Sequence, residues 1–430
     1  MGTAGSSVER AARESYGKLL AYLASRCGLD AAEDALADAF TAALERWPIE
    51  GVPRRPEAWL SVVARNRALD GMRRRRRETL ALERVAHVAR IAQTAYASNL
   101  EPEDERIGML FACAHPAIAA EIRAPLMLQV VLGFDAARIA SAFLVAPATM
   151  SQRLVRAKRK IVGAGIPLTV PLAEEFPVRL DAVLAAIYVT FGQGWDDPSE
   201  TDPDTRGLAR EAIWLGRLVT DACPDEPEVS GLLALMLHAH SRRNARRDRA
   251  QAYVPLDAQD ATRWDSAMIE EAETLLAQAA RAQRPGRFQL EAAIQSAHAV
   301  RRLGREPDWD AIILLYDGLL CMTGSPVVAL NRAVALGRSR GSRAGLTALE
   351  IFATDARMVN YQPYWAARAD MLARCDEVEQ ARAAYERALG LTIDPAVREY
   401  LTSRREDLKN ADNVARERIR FSHAAQRAVD

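Results

Sequence analysis

Aromatic side chains are scarce in this chain, 6% of its 430 residues, and lysine is nearly missing, with four against 53 arginines. Ala, Leu and Arg take their place, a composition that favours helix over strand. Cysteine is sparse as well: Cys27, Cys113, Cys223, Cys321 and Cys375 lie far apart and form no metal-type pairs. This argues against a disulfide scaffold and fits a reducing, cytoplasmic setting. There is no run of roughly 18 apolar residues, so no membrane-spanning helix is expected. The N-terminal MGTAGSSVERAARESYG has neither the charged start nor the apolar stretch of a signal peptide. A phosphate-binding glycine loop is lacking too.

Net charge is zero, but as a sum of opposites. Residues 1–165 carry 24 basic and 18 acidic side chains, a balance of +6, and the remainder carries −6. A basic front is where contact with nucleic acid is expected. The length predicts two or three domains, and helical periodicity recurs along nearly all of it. A first helix is expected over Val8–Arg26, with Gly28 as its stop and Asp30 capping the next. Pro48–Pro56 reads as a loop, Gly163–Pro177 as a domain boundary and Phe191–Gly207 as a long acidic loop. From Val178 onward the pattern is of stacked helical hairpins. Trp365, Ala369, Leu372, Ala381, Tyr385 and Ala388 fit tetratricopeptide (TPR) spacing, with Ala where two helices must approach closely. The segment 325–336, with Pro326 suited to a first helical turn, reads as a degenerate copy.

The strongest local pattern is DAARIASAFLVAPATMSQRLVRAKRKI, Asp135–Ile161. Asp135 can cap a short helix with Ile139, Ala140 and Phe143 inward, Leu144–Ala146 can turn, and Pro147 can begin a second helix. On that helix Met150, Leu154, Ala157 and Ile161 form one apolar stripe. Thr149, Gln152, Arg156 and Arg159 cluster opposite, where Gln suits adenine and Arg suits guanine. Arg153, Lys158 and Lys160 flank that face and suit phosphates. A second basic pattern is PEAWLSVVARNRALDGMRRRRR, Pro56–Arg77. Its five consecutive arginines can complement a helix dipole or clamp phosphates with a steep salt dependence. Trp59, Val62, Val63 and Leu69 are expected to bury one side, with Asn66 offering an amide beside them.

These residues resemble extracytoplasmic-function sigma factors, a compact group of the sigma-70 family. DAAEDALADAF, Asp30–Phe40, looks like the group's polymerase-binding helix, with Glu33, Asp34 and Phe40 in its pattern. AWLSVVARNRALDGMRR is similar to the segment that melts and reads the minus-ten element. The helix-turn-helix is similar to the minus-thirty-five reader. Segments such as FACAHPAI, EPEVSGLLALMLHAHSRRNAR and SPVVALNRAVAL look like a subgroup with a long helical C-terminal extension, in which Leu144 is normal. The chain departs from that subgroup at Gly192–Trp195, where an Asn-Glu-Gly-Tyr type sequence is common, and at Asp38, where Gln or Glu is common.

The resemblance implies an all-α protein with region 2 over 1–97, region 4 over 98–165 and a TPR-like domain over 178–430, clearest at 362–395. Its implied partners are core RNA polymerase, through the β′ clamp helices, and promoter DNA. An unknown protein or peptide on the C-terminal repeats is a further implied partner. Glu33, Asp34 and Asp38 would face polymerase; Trp59, Arg65, Asn66, Arg73 and Arg74 the minus-ten element; Thr149, Gln152, Arg153, Arg156 and Arg159 the minus-thirty-five element. No cofactor, metal or active site is expected. Gly337–Gly341 matches G-x-S-x-G, but it is expected to be a flexible inter-repeat loop rather than a strand-to-helix turn. His238 and His240 diverge by about 200° on a helix and cannot easily share a metal. Cys113 and His115 read as packing and capping residues. The rival for the whole chain is an ordinary helix-turn-helix regulator with a TPR sensor.

Overall fold

The computed structural model describes residues 2–80, 105–143, 145–172, 174–195, 207–352 and 355–408, with the backbone alone over 72–80 and most of 2–14. Among the described residues the fold is all-α, and the single β feature is an isolated antiparallel bridge between Arg247 and Tyr253. None of these helices is long and apolar enough to cross a membrane. The chain forms two compact units, Met1–Ala222 and Cys223–Asp430.

The first unit runs α1 (Gly2–Cys27), α2 (Leu29–Glu50), α3 (Pro56–Leu80), α4 (Arg106–Cys113), α5 (Ala120–Val130), α6 (Ala136–Ala142), α7 (Pro147–Gly163), α8 (Phe176–Trp195) and α9 (Leu208–Ala222). Gly28, at φ 81°, separates α1 from α2 and occupies the N-cap position expected for Asp30, whose carboxylate instead lies in the first turn. There it complements the helix dipole. Helix α2 continues through Pro48 to Glu50, so the connection to α3 is shorter than the expected Pro48–Pro56 loop. A late proline removes only one backbone donor and leaves the last turn intact. Along α2, Leu29, Ala32, Leu36, Ala39, Ala43 and Trp47 bury one stripe, and Trp47 meets Trp59 of α3 edge-on at 5.6 Å. The buried line of α3 is Leu60, Ala64 and Ala68, not the expected Trp59–Leu69 set; Val62 stays 48% exposed. Small residues at every fourth position let α3 lie close on α1 and α2.

The expected boundary at 163–177 does not end this unit. Ile166 is buried, and α8 packs on α4 and α5. Phe111 of α4 meets Phe176 of α8 at 5.5 Å. The guanidinium of Arg179, 2% exposed, donates from Nη2 to the Phe111 carbonyl oxygen at 2.7 Å. Helix α9 adds Trp214, over whose ring Arg106 sits at 4.5 Å. The expected loop from Phe191 is helical as far as Trp195, with Phe191 and Trp195 stacked at 5.8 Å. Gly194 in the Gly192–Trp195 departure sits where any Cβ would strike the backbone of Leu208 and Ala209, so α8 and α9 touch there.

The second unit runs α10 (Pro227–Ser241), α11 (Ser266–Arg281), α12 (Arg287–Ala299), α13 (Trp309–Thr323), α14 (Pro326–Arg340), α15 (Ser342–Leu349), α16 (Ala356–Val359), α17 (Gln362–Arg374) and α18 (Val378–Leu391). A last helix, α19, covers 395–408. Prolines open α10, α14 and α17, and Asp265 and Asp308 cap α11 and α13 through the Met268 and Ala311 N–H groups. Helix α10 is buried on every side. The TPR-patterned residues form the α17–α18 hairpin, with Ala369, Leu372, Ala381, Tyr385 and Ala388 buried and the Trp365 indole donating to the Val359 carbonyl at 2.9 Å. Gly337–Arg340 is the last turn of α14 rather than a loop; the chain reverses at Gly341, and the Ser339 hydroxyl donates to Asp310 at 2.6 Å. Between α10 and α11 an irregular strap ties distant helices together. Arg247 pairs with Asp394 at 2.6 Å, Tyr253 meets Tyr400 edge-on at 5.4 Å, and Arg301 donates to Asp257 at 2.9 Å.

Two buried histidines give the second unit an acid-sensitive core. Burial, with Arg242 beside both, lowers His238 and His298 to about 4. The fold therefore favours the neutral imidazole: its stabilisation is complete above the unfolded value near 6.5 and is lost as pH falls toward about 4. Urea unfolding at pH 7 and pH 5 should show a loss of roughly 2 kcal/mol per histidine, and a smaller loss for His298→Gln. Truncation gives a second expectation. A chain ending at Ala222 should melt cooperatively. One ending at Gly165, with Phe111 and Arg179's carbonyl partner uncovered, should lose several kcal/mol in thermal unfolding followed by circular dichroism.

Candidate nucleic-acid interface

Helices α6 and α7 are placed by local chemistry. The Asp135 carboxylate accepts the Arg138 N–H at 2.9 Å and begins α6; the Val145 N–H donates to the Ala140 carbonyl across the turn; Pro147 opens α7. Ile139 and Ala140 are fully buried where the two helices cross, while Phe143 is half-buried. Leu144 lies outside the described residues. Met150, Leu154, Ala157 and Ile161 are buried along α7 as one stripe. Thr149, Gln152, Arg153, Arg156 and Arg159 are all exposed on the remaining faces, with Arg156 donating to the Gln152 side-chain amide oxygen, Oε1, at 3.4 Å. Such a face presents cations, a hydroxyl and an amide to solvent, groups that can bind phosphates and base edges.

On α3, Arg65 and Asn66 are exposed and Trp59 is half-buried against Trp47. Arg73 and Arg74 continue the helix, but their side chains lie outside the described residues. On α2, Asp34 and Asp38 are exposed. His115 accepts the Ala117 N–H at its Nδ1, 3.1 Å, and burial with Arg179 nearby keeps its pKa below the ordinary value; Cys113 is buried, its thiol pushed up to about 12.

Glu33 and Lys158 depart from the sequence expectation. Lys158 does not flank the open face of α7 as a phosphate grip. Its ammonium donates to both carboxylate oxygens of Glu33, at 2.8 and 3.0 Å, although the two residues are 125 positions apart. Around this pair, Tyr16 of α1 stacks on Phe40 of α2 at 6.4 Å and packs against Gly133, and burial with Glu33 nearby pushes its phenol up to about 12. At Gly17 the α1 backbone presses on the Val131 carbonyl so closely that no Cβ would fit. Ser25 and Arg26, at the end of α1, donate to Glu105 at 2.6 and 3.0 Å. The α1–α3 bundle and the α4–α7 block are therefore packed together within one unit. A glycine at position 17 and one of the two lysines on a basic helix were the available signals, and neither identifies a partner that far away in sequence.

Residues 12–78 match sigma-70 region 2, and residues 179–280 match a family of unknown function (DUF6596). The chain therefore carries a sigma-70 region 2 domain, which supports a place in the sigma-70 family, and that domain implies interaction with core RNA polymerase and promoter DNA. Over 392 residues it is 38% identical to the uncharacterized protein R00370 of Rhizobium meliloti (strain 1021), an alignment that covers 90% of this chain and 92% of that protein. The extension is thus shared between them and not peculiar to this sequence. No solved structure matches the chain.

The packing at Gly17 predicts a sharp contrast in stability. Gly17→Ala should cost several kcal/mol, because backbone must move. Gly71→Ala, with open space around its Cβ on α3, should be neutral or gain up to about 1 kcal/mol from helix propensity. Thermal unfolding of the two variants measures both.

Proposed function

We propose that the chain is an RNA polymerase sigma factor of the extracytoplasmic-function group, which joins core polymerase and directs initiation at specific promoters. The observation that carries this reading is the region 2 match over 12–78 upstream of an Asp135-capped helix pair with an exposed Gln and Arg face. In this reading Glu33, Asp34 and Asp38 of α2 dock on the β′ clamp helices. Arg65, Asn66, Trp59, Arg73 and Arg74 hold unpaired bases and phosphates of the minus-ten element. Thr149, Gln152, Arg153, Arg156 and Arg159 enter the major groove at the minus-thirty-five element. Stacking and phosphate contacts offset the cost of opening the duplex. All chemistry belongs to the polymerase; the chain needs neither cofactor nor catalytic residue, and acts in the cytoplasm.

The extension is proposed to act at two levels. Helices α8 and α9 support the helix-turn-helix directly, because α8 closes the core of α4 and α5. The second unit, with its TPR-like hairpin, regulates or supports activity, with a protein or peptide as its proposed ligand.

Adding the purified chain to core polymerase and promoter DNA is the deciding experiment. A sigma factor gives promoter-specific transcripts with no other factor present. A helix-turn-helix regulator with a repeat sensor gives none until another sigma is supplied. Arg153→Ala should lower the slope of log affinity against log salt by about 1, and Arg156→Ala should cost about 1–3 kcal/mol and relax preference at one base pair. Fluorescence anisotropy of the polymerase complex on duplexes across a salt series measures both.

A further inference from the structure

Two helix ends and the strap of the second unit gather positive charge around few acceptors. Arg242 follows α10 directly, Arg301 lies in the single turn 300–303 that follows α12, and the strap brings Tyr253 beside Arg242. A small core holds them in place, with Ala245 and Ala299 buried together under Trp264. Arg242 is partly buried, and its acceptor among the described residues is a neutral one: Nη2 donates to the Gln295 side-chain oxygen at 2.6 Å. A guanidinium has five N–H groups, so most of its donors are unused. Burial, with Arg246 and Arg301 close by, lowers it to about 10.

The neighbours have donors to spare as well. Asp257, the carboxylate near His298, is already shared by Arg301 and Arg338. Even so, Nε of Arg301 and Nδ1 of His298 are buried without a hydrogen-bond partner among the described residues, and His298 is only 8% exposed. Gln295, its oxygen taken by Arg242, keeps its amide N–H groups to give. The Tyr253 phenol, pushed up by burial, stays a donor at neutral pH. Helix ends of this polarity offset part of the gathered charge, yet these N–H groups stay unfilled. Burying a cation without a counter-charge is costly, and a multivalent anion would remove both deficits at once.

We propose that Arg242, Gln295, Arg301 and Tyr253 form a binding site for a phosphoryl group. The donors come from three separate elements, so they approach a ligand from different directions. A carboxylate offers two oxygens in one plane and one charge, which suits a single guanidinium fork. A phosphoryl group offers three acceptor oxygens and nearly two charges at pH 7. The site lies wholly in the second unit and does not depend on the sigma-factor reading. A free phosphate and a phosphorylated side chain present the same group, and affinity separates the two sources.

Calorimetry on the full chain at pH 7 tests the site, in a phosphate-free buffer with chloride matching ionic strength. Inorganic phosphate and a short phosphoserine peptide are the ligands; acetate and the unphosphorylated peptide are the controls. Saturating phosphate or phosphopeptide should raise a melting transition by several degrees, and the controls should not. Affinities within tenfold of each other point to free phosphate, and a tighter phosphopeptide points to a phosphorylated segment. Arg242→Gln should abolish binding while melting no lower than the parent chain without phosphate, because it removes an unpaired charge. Tyr253→Phe keeps the ring on Tyr400 and should weaken binding about tenfold. Absence of binding by both ligands, acetate binding as well as phosphate, or unchanged affinity in either variant overturns the site. A lower melting temperature for Arg242→Gln in phosphate-free buffer marks a structural arginine and overturns it too.

Discussion

A buried guanidinium holds the front of this protein together. Arg179 is enclosed between α4 and α8, with its Nη2 on the Phe111 carbonyl and Nη1 3.5 Å from Glu175, while its Nε has no hydrogen-bond partner among the described residues. Burying such a cation is costly unless its protons find acceptors, and the geometry that supplies the Phe111 carbonyl seats α8 across the C-terminal end of α4. Once α8 is fixed, Phe176 covers Phe111, α5 gains a wall, and the small α6–α7 pair has a rigid base. Seven- and seventeen-residue helices do not form a stable module alone. The α6–α7 pair is thus built on α8 rather than merely followed by it.

That dependence changes how the sequence blocks relate to function. The region 2 match ends at residue 78 and the DUF6596 match begins at residue 179, so the helix-turn-helix falls between the two matched segments. Structurally it belongs to both neighbours. Its α4 and α5 lean on α8, and its α7 reaches back to α2 through Lys158. A unit assembled this way couples α2, α7 and α8 through shared side chains and packing.

Much of this was legible from local sequence. Asp135 as a cap, Pro147 as a first helical residue and the Met150–Ile161 stripe depend on neighbours within one or two turns, and each stands where periodicity puts it. The all-α class and the α17–α18 hairpin were readable for the same reason. Errors cluster where a local signal was overruled by distant packing. Pro48 and the glycines at 192 and 194 look like helix breakers, yet Trp47 and the α8–α9 contact keep those turns helical. Trp59 and Val62 look more apolar than Leu60, Ala64 and Ala68 together, but close approach to α1 and α2 selects the smaller set. Partners such as Glu33 and Lys158, or Arg179 and Phe111, are joined only by the fold. The roles proposed for Arg73 and Arg74 fall on side chains outside the described residues.

The strap between α10 and α11 has a consequence for how the second unit comes apart. Stacked hairpins ordinarily touch only their neighbours, and such arrays can fray from one end while the rest stays folded. Here residue 247 is bonded to residue 394, and Tyr253 rests on Tyr400, so the first and last hairpins share contacts. Fraying of α19 then removes support from the strap that follows α10, so the two ends of the array are coupled. Contacts of that span slow folding, since a loop of about 150 residues must close before they form, but once formed they oppose fraying of α19.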